Sequence, residues 1–163
     1  MRIILASQSP RRRELLERVG IKDFAVAAPN VDESVAPGLA PAEMVERLSL
    51  RKAEAAAEKA EPEALIIAAD TVVALDGAVL GKPGDEEEAF AMLSALSGRE
   101  HHVYTGLTVW QGEQRVTQHE ETAVVFRTLG PEEIRGYIAT GEPMDKAGAY
   151  GIQGVGALLV RGI

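Results

Sequence analysis

The chain contains no cysteine, so disulfides and thiolate-bound metals are excluded at once. It also lacks a long apolar run: nothing approaches the ~20 residues of a membrane helix. The amino-terminal apolar stretch is short, and Arg11, Arg12 and Arg13 follow it closely. A secretory signal needs a longer apolar core and a small-residue cleavage site, so this stretch reads as a strand entering a turn and the expected compartment is cytoplasmic. Basic charge is in deficit, with 17 Lys and Arg against 25 Asp and Glu, a net charge of −8. That is a poor footprint for nucleic acid, but a local basic cluster in a cleft can still hold a small anion.

Several chemistries are missing as well. There is no GxxxxGK[ST] loop, no GxGxxG after a strand, no GxSxG and no HExxH. The three histidines, His101, His102 and His119, lack metal-ligand spacing. His101 and His102 are adjacent, so in a strand they face opposite ways, and both read as structural or surface residues. Neither internal repeats nor low-complexity segments stand out.

What remains fits one domain over residues 1–163. At 163 residues and 46% hydrophobic the chain is large enough for a stable core. Residues 2–6 read as a buried strand. Ser9 and Pro10 then open a helix with Leu15, Leu16 and Val19 on one face and Gly20 as its stop. Residues 24–28 read as a second strand and 29–39 as a loop. A long helix spans residues 41–60, with Met44, Val45, Leu48 and Ala55 able to face the core.

Residues 65–69 read as a central strand ending at Asp70. Residues 71–80 read as a hairpin with a type I′ turn at Asp76-Gly77. A helix over 85–96 follows, stopped by Gly98. Residues 101–127 form a second hairpin turning at Gly112-Glu113, and 131–139 a short helix. A Gly-rich region over 142–156 leads to a last strand at 157–160. The alternation predicts an α/β or α+β domain around a mixed sheet.

Four places could carry chemistry. Ser7-Gln8-Ser9-Pro10-Arg11-Arg12-Arg13 lies where a strand meets a helix, and helix N-termini and bidentate guanidiniums favour phosphate. A capped helix with solvated arginines fits as well. Asp70 at a strand end could hold Mg²⁺ or accept a proton from water, or simply begin a turn. Asp32 and Glu33 offer further carboxylates in a loop, and Lys52 and Lys82 could meet phosphate or solvent. Residues 142–154 combine polar groups with glycines that allow close backbone approach to a ligand, and the Gln153 amide could read a base edge.

Taken together, LASQSPRRRELL (5–16), VDES (31–34), Lys52, AADTVV (68–73), LGKP (80–83), HVYTG (102–106) and EPMDKAGAYGIQG (142–154) resemble the Maf family of septum formation inhibitor-like proteins. These pieces run across almost the whole chain in the family order. The resemblance implies a mixed twisted sheet flanked by helices, similar to inosine triphosphate pyrophosphatases, with a cleft between two lobes. It implies hydrolysis of nucleoside triphosphates to the monophosphate and pyrophosphate with Mg²⁺ or Mn²⁺, by a homodimer; the charge deficit and the lack of a long apolar run add the expectation of no nucleic-acid or membrane partner.

By the same resemblance Asp70 matches the proton acceptor, and Asp70 with Glu33 the metal site. Ser7, Arg11 and Arg12 match the phosphate junction, and Glu33, Lys52 and Lys82 the charged lining of the cleft. Arg11, Thr71 and Gln153 fall at positions tied to substrate choice, which implies dTTP and UTP, with modified pyrimidine nucleotides fitting the same pocket. Family members continue past ALLVRGI into a further segment, so a C-terminal family segment is expected to be missing here. The rival readings are a non-catalytic nucleotide- or division-protein-binding inhibitor of septum formation, and a purine (ITP/XTP) pyrophosphatase.

Overall fold

In the computed structural model, which describes residues 1–34 and 38–163, short apolar runs and Ala- and Glu-rich segments alternate as a mixed α/β fold. The elements are β1 (Ile3–Ala6), α1 (Pro10–Arg18), β2 (Ala25–Ala27), α2 (Pro41–Ala57), β3 (Leu65–Leu75), β4 (Ala78–Leu80), α3 (Glu86–Leu96), β5 (Glu100–Gln111), β6 (Gln114–Phe126), α4 (Pro131–Ile138) and β7 (Val160–Gly162). Three short 3-10 turns, Glu142–Asp145, Ala147–Ala149 and Val155–Leu159, separate α4 from β7. The sheet order is β2-β1-β3-β5-β6-β7, with β4 hairpinned onto β3. β1 is parallel to both its neighbours, Ile4 lying opposite Ala25 and Ile66. Ile4, Leu5 and Ala6 are buried in succession, so both faces of the strand are covered, which explains its unbroken apolar sequence. Among the described residues, no helix is long and apolar enough to cross a membrane.

The chain divides into two units, one of residues Met1–Asp70 and Thr105–Glu120, the other of Thr71–Tyr104 and Glu121–Ile163. In the first, Ile4 and Ala6 of β1 and Ile66 and Ala68 of β3 pack with Ala53 and Ala56 of α2. Alanine on the helix face lets the backbone lie close to the sheet. The approach is closest at Gly106 of β5, where a Cβ would run into the Val45 carbonyl of α2. The hydroxyls of Ser49 and Thr108, both fully buried, bond at 2.9 Å, and Thr108 reaches Thr117 at 3.0 Å. Every polar group in that short chain has a partner, as burial demands.

Two expectations about this unit change. Val45 and Leu48 are buried, but the other deep positions of α2 are Ser49, Ala53 and Ala56, while Met44 and Ala55 are only half-buried. Alanine suits an exposed helix face as well as a buried one, so the pattern did not mark them. The apolar side of α1 buries no residue, and Leu15 and Val19 are 48% and 73% exposed. Four arginines and two glutamates among its nine residues leave too few apolar side chains to anchor a face.

The second unit packs α3 and α4 around Val73, Leu75, Leu93, Leu96, Phe126 and Tyr137. Asp85 caps α3, its carboxylate accepting the Glu88 N–H at 2.8 Å. Asp76 and Gly77 have φ of 51° and 79°, the two positive values a type I′ turn requires. The last strand begins at Val160 rather than near 157. Arg127 takes the carbonyls of Leu158 and Leu159, at 2.6 and 3.0 Å, while those residues still belong to a 3-10 turn.

Candidate active site

Asp70 does not end the central strand. β3 runs on through it to Leu75, because Thr71, Val72 and Val73 are β-branched and extend the ladder. The acid is therefore a mid-strand side chain, 13% exposed, where the sequence pointed to a strand tip. Such burial requires a partner. Lys52 of α2, itself 14% exposed, supplies it by donating to the Asp70 carboxylate. The same ammonium lies 2.9 Å from Glu33 Oε1.

Glu33 is held there by its neighbours. Asp32 folds onto Ser34, accepting its N–H at 2.8 Å and its hydroxyl at 2.7 Å. Those two hydrogen bonds hold the Asp32 carboxyl below its ordinary range. Asp32 is thus committed to the turn and Glu33 points to the lysine. Arg51, adjacent to Lys52, donates to the carbonyls of Asp32 at 3.0 Å and Ser34 at 2.5 Å. The sequence reading missed Arg51. Its one signal was its place beside Lys52, where it resembles any charged residue of a helix.

The strand-to-helix junction after β1 closes the arrangement. Ser7 is buried, and its Oγ accepts from Arg12 Nη1 at 3.0 Å and from the Ser9 N–H at 3.2 Å. Pro10 occupies the first turn of α1, and among the described residues the Ser9 side chain makes no capping bond at that positive helix end. Burial lowers the Arg12 pKa, an effect opposed by Asp70, deepened by Arg11 and opposed again by Glu33. An arginine keeps its charge regardless. The first unit thus gathers Ser7, Arg11, Arg12, Glu33, Lys52 and Asp70 into one electrostatic neighbourhood.

Two carboxylates meeting at one point are a fitting donor set for Mg²⁺ or Mn²⁺. Hard cations prefer oxygen, and Mg²⁺ commonly takes only one or two carboxylates, with phosphate oxygens completing its shell. Among the described residues no group of three or more His, Cys, Asp or Glu forms a closed metal cage.

The other expected residues lie in the second unit. Thr71 follows Asp70 in β3 and is half-buried; Lys82 and Gln153 are exposed. The Gly81 carbonyl beside Lys82 accepts the Gly148 N–H at 3.0 Å, tying that segment to the glycine-rich region. In that region the glycines make room for protein, where the sequence suggested a ligand. A Cβ at Gly154 would strike the Glu142 carboxylate, and one at Gly156 would lie 2.7 Å from the Tyr137 hydroxyl. Glu142 accepts from the N–H groups of Val155 and Gly156, at 2.9 and 3.0 Å, and from Tyr137 at 2.8 Å. Burial alone would raise its pKa, but these bonds and the nearby Lys146 charge bring it below the ordinary value.

Beneath this loop His101 is fully buried. Its Nε2 is 2.7 Å from the Tyr150 hydroxyl, its ring stands edge-on to Phe126, and its Nδ1 has no hydrogen-bond partner among the described residues. Burial, helped by the His102 charge, pushes its pKa down to about 4. The expectation of a structural role fits that setting.

The family model described as Maf-like protein matches residues 2–163. A dTTP/UTP pyrophosphatase of Symbiobacterium thermophilum is 55% identical over 161 residues, covering 99% of this chain and 82% of that protein. One of Moorella thermoacetica is 54% identical over 165 residues, covering 99% of this chain and 84% of its own. Among solved structures, the Staphylococcus aureus Ham1 protein aligns with a TM-score of 0.52 at 17% identity, over 77% of this chain and 72% of that one. That last likeness concerns the fold alone, and it agrees with the mixed sheet and flanking helices described above.

Proposed function

The chain belongs to the Maf-like protein family, and from that premise we infer its reaction: it hydrolyses dTTP and UTP to the monophosphate and pyrophosphate. The observation that carries the chemistry is the convergence of Asp70, Glu33, Lys52 and Arg12 in one unit. Phosphoryl-type transfer needs placement and charge stabilisation more than covalent help, and this set provides both signs of charge.

In the reaction we propose, water attacks the α-phosphorus, the bond to the bridging oxygen breaks, and pyrophosphate leaves with the electron pair. Asp70 accepts the proton released by the water. Arg12, aligned by Ser7, and Lys52 offset the charge that accumulates on the phosphate oxygens. Arg11 adds to that field from the exposed side of α1. Asp70 and Glu33 are the residues that would hold a divalent cation, Mg²⁺ or Mn²⁺, which supplies charge neutralisation on phosphate oxygens. Thr71, Lys82 and Gln153 enter the proposal through the family resemblance alone, Gln153 with an amide that can both donate to and accept from a base edge. A homodimer, implied by the family resemblance, and a cytoplasmic setting belong to the same proposal; they are checked by sedimentation and fractionation.

The test is pyrophosphate release from dTTP, UTP, dCTP, ITP and XTP with Mg²⁺ or Mn²⁺. The expected result is release from dTTP and UTP ahead of the others. Release from none of them, or preference for ITP or XTP, overturns the assignment. The names of the similar proteins favour the pyrimidine outcome over the purine one.

A further inference from the structure

Lys52 takes both carboxylates at once, and this has a consequence for the cation that the hydrolase reading assigns to them. Its ammonium bonds Asp70 and stands 2.9 Å from Glu33, in the space between the two acids. With Arg12 also coupled to both, the two negative charges are already matched by two positive ones. A divalent ion brought to the same oxygens would find no surplus negative charge and would be repelled by an ammonium a few ångströms away. Lysine carries its charge on a flexible four-carbon stem with three rotatable donors, so it can exchange one set of anionic oxygens for another. The backbones that carry Asp70 and Glu33 are held, one in mid-strand and the other in a turn that Arg51 fastens by two carbonyls, although the Glu33 side chain itself is 66% exposed.

We propose that Lys52 is an internal stand-in for the divalent cation. It holds the two acids in place while no cation does, and it must let go of them for the cation to bind. A triphosphate is the natural destination for the released ammonium, so the cation and the nucleotide enter together. The inference rests on the hydrolase reading, and it assigns Lys52 a positioning and gating role in addition to its contact with phosphate.

The test is titration of nucleotide-free protein with Mn²⁺ by calorimetry, for wild type, Lys52→Met, Lys52→Gln and Lys52→Arg. Removing the charge is expected to tighten Mn²⁺ binding about tenfold, an ordinary size for coupled sites, while the arginine variant stays as weak as wild type. Adding Asp70→Asn to Lys52→Gln is expected to abolish the gain. Charge-removing variants that bind Mn²⁺ no more tightly than wild type, or an arginine variant as tight as the glutamine one, overturn the proposal.

A charge-removing variant that unfolds in chelator but recovers its circular dichroism and cooperative melt with Mn²⁺ supports it equally. One that Mn²⁺ fails to restore counts against it. The titrations need no turnover, so the two readings fail separately. Wild type that releases no pyrophosphate sinks the hydrolase reading. Active wild type with unchanged Mn²⁺ affinity on charge removal sinks only the role of Lys52.

Discussion

Asp70 in the first unit and Glu142 in the second are both carboxylates drawn out of bulk water, and their compensation differs in kind. Asp70 is met by side chains, Lys52 directly and Arg12 through space. Glu142 is met chiefly by the N–H groups of Val155 and Gly156 and by the Tyr137 hydroxyl, with the Lys146 charge a lesser contribution. Side-chain cations can re-partner when a polyanion arrives. Backbone donors cannot leave without unfolding the turn that carries them. The first arrangement suits an acid that must change partners during a reaction, the second an acid that fixes the shape of a loop. A charged residue's role is therefore better read from what holds it than from how deeply it lies.

The sharpest way to break this contrast is Asp70→Asn. Turnover of dTTP is expected to fall roughly a thousandfold while the thermal melt stays close to wild type, because the amide keeps the shape and loses the proton acceptor. Near-normal turnover in the folded variant would remove Asp70 from the chemistry.

The next effect concerns His101, which lies buried in the Glu142 unit. An unfolded histidine takes up a proton near pH 6.5, whereas the folded one holds off until about 4. Between those values the unfolded chain binds more protons, so stability falls as pH drops, by about 3 kcal/mol in all, and levels off below the folded value. His101→Phe is expected to flatten that window in denaturant titrations at several pH values. An unchanged slope would place the titrating group elsewhere.

Smallest is Glu142→Gln. The folded pKa of Glu142 is depressed, so its contribution is present above the unfolded value of about 4.5 and is lost as pH falls through the folded one. The glutamine variant should lose roughly 1.5 kcal/mol at neutral pH and show a weaker acid limb. A kcat loss as large as that of Asp70→Asn would erase the distinction between the two acids.

Local signals were legible wherever one residue type decides the geometry. Asp76-Gly77 announced its hairpin, Pro10 and Gly20 bracketed α1, and Asp85 marked the start of α3. The pairing of Lys52 with Asp70 was not legible, because it joins residues 18 apart across a helix and a strand. Family resemblance named both residues and could not say that they touch. Arg51 and Tyr137 escaped for a related reason: each acts on backbone atoms, and any sequence offers those everywhere. The extension of β3 past Asp70 was hidden by the habit of reading a lone acid after an apolar run as a stop, when a charge that finds a cation can sit inside a strand.

Gly106 carries one last consequence. Its bare backbone lies against the Val45 carbonyl, and Lys52 sits seven residues further along the same helix, two turns on and on the same side. The helix cannot slide past that point of contact. The height at which the lysine leaves the helix, roughly 10 Å from the contact, is thereby registered against the sheet. The reach of one ammonium is calibrated by the absence of one methyl group, at a position that meets neither acid.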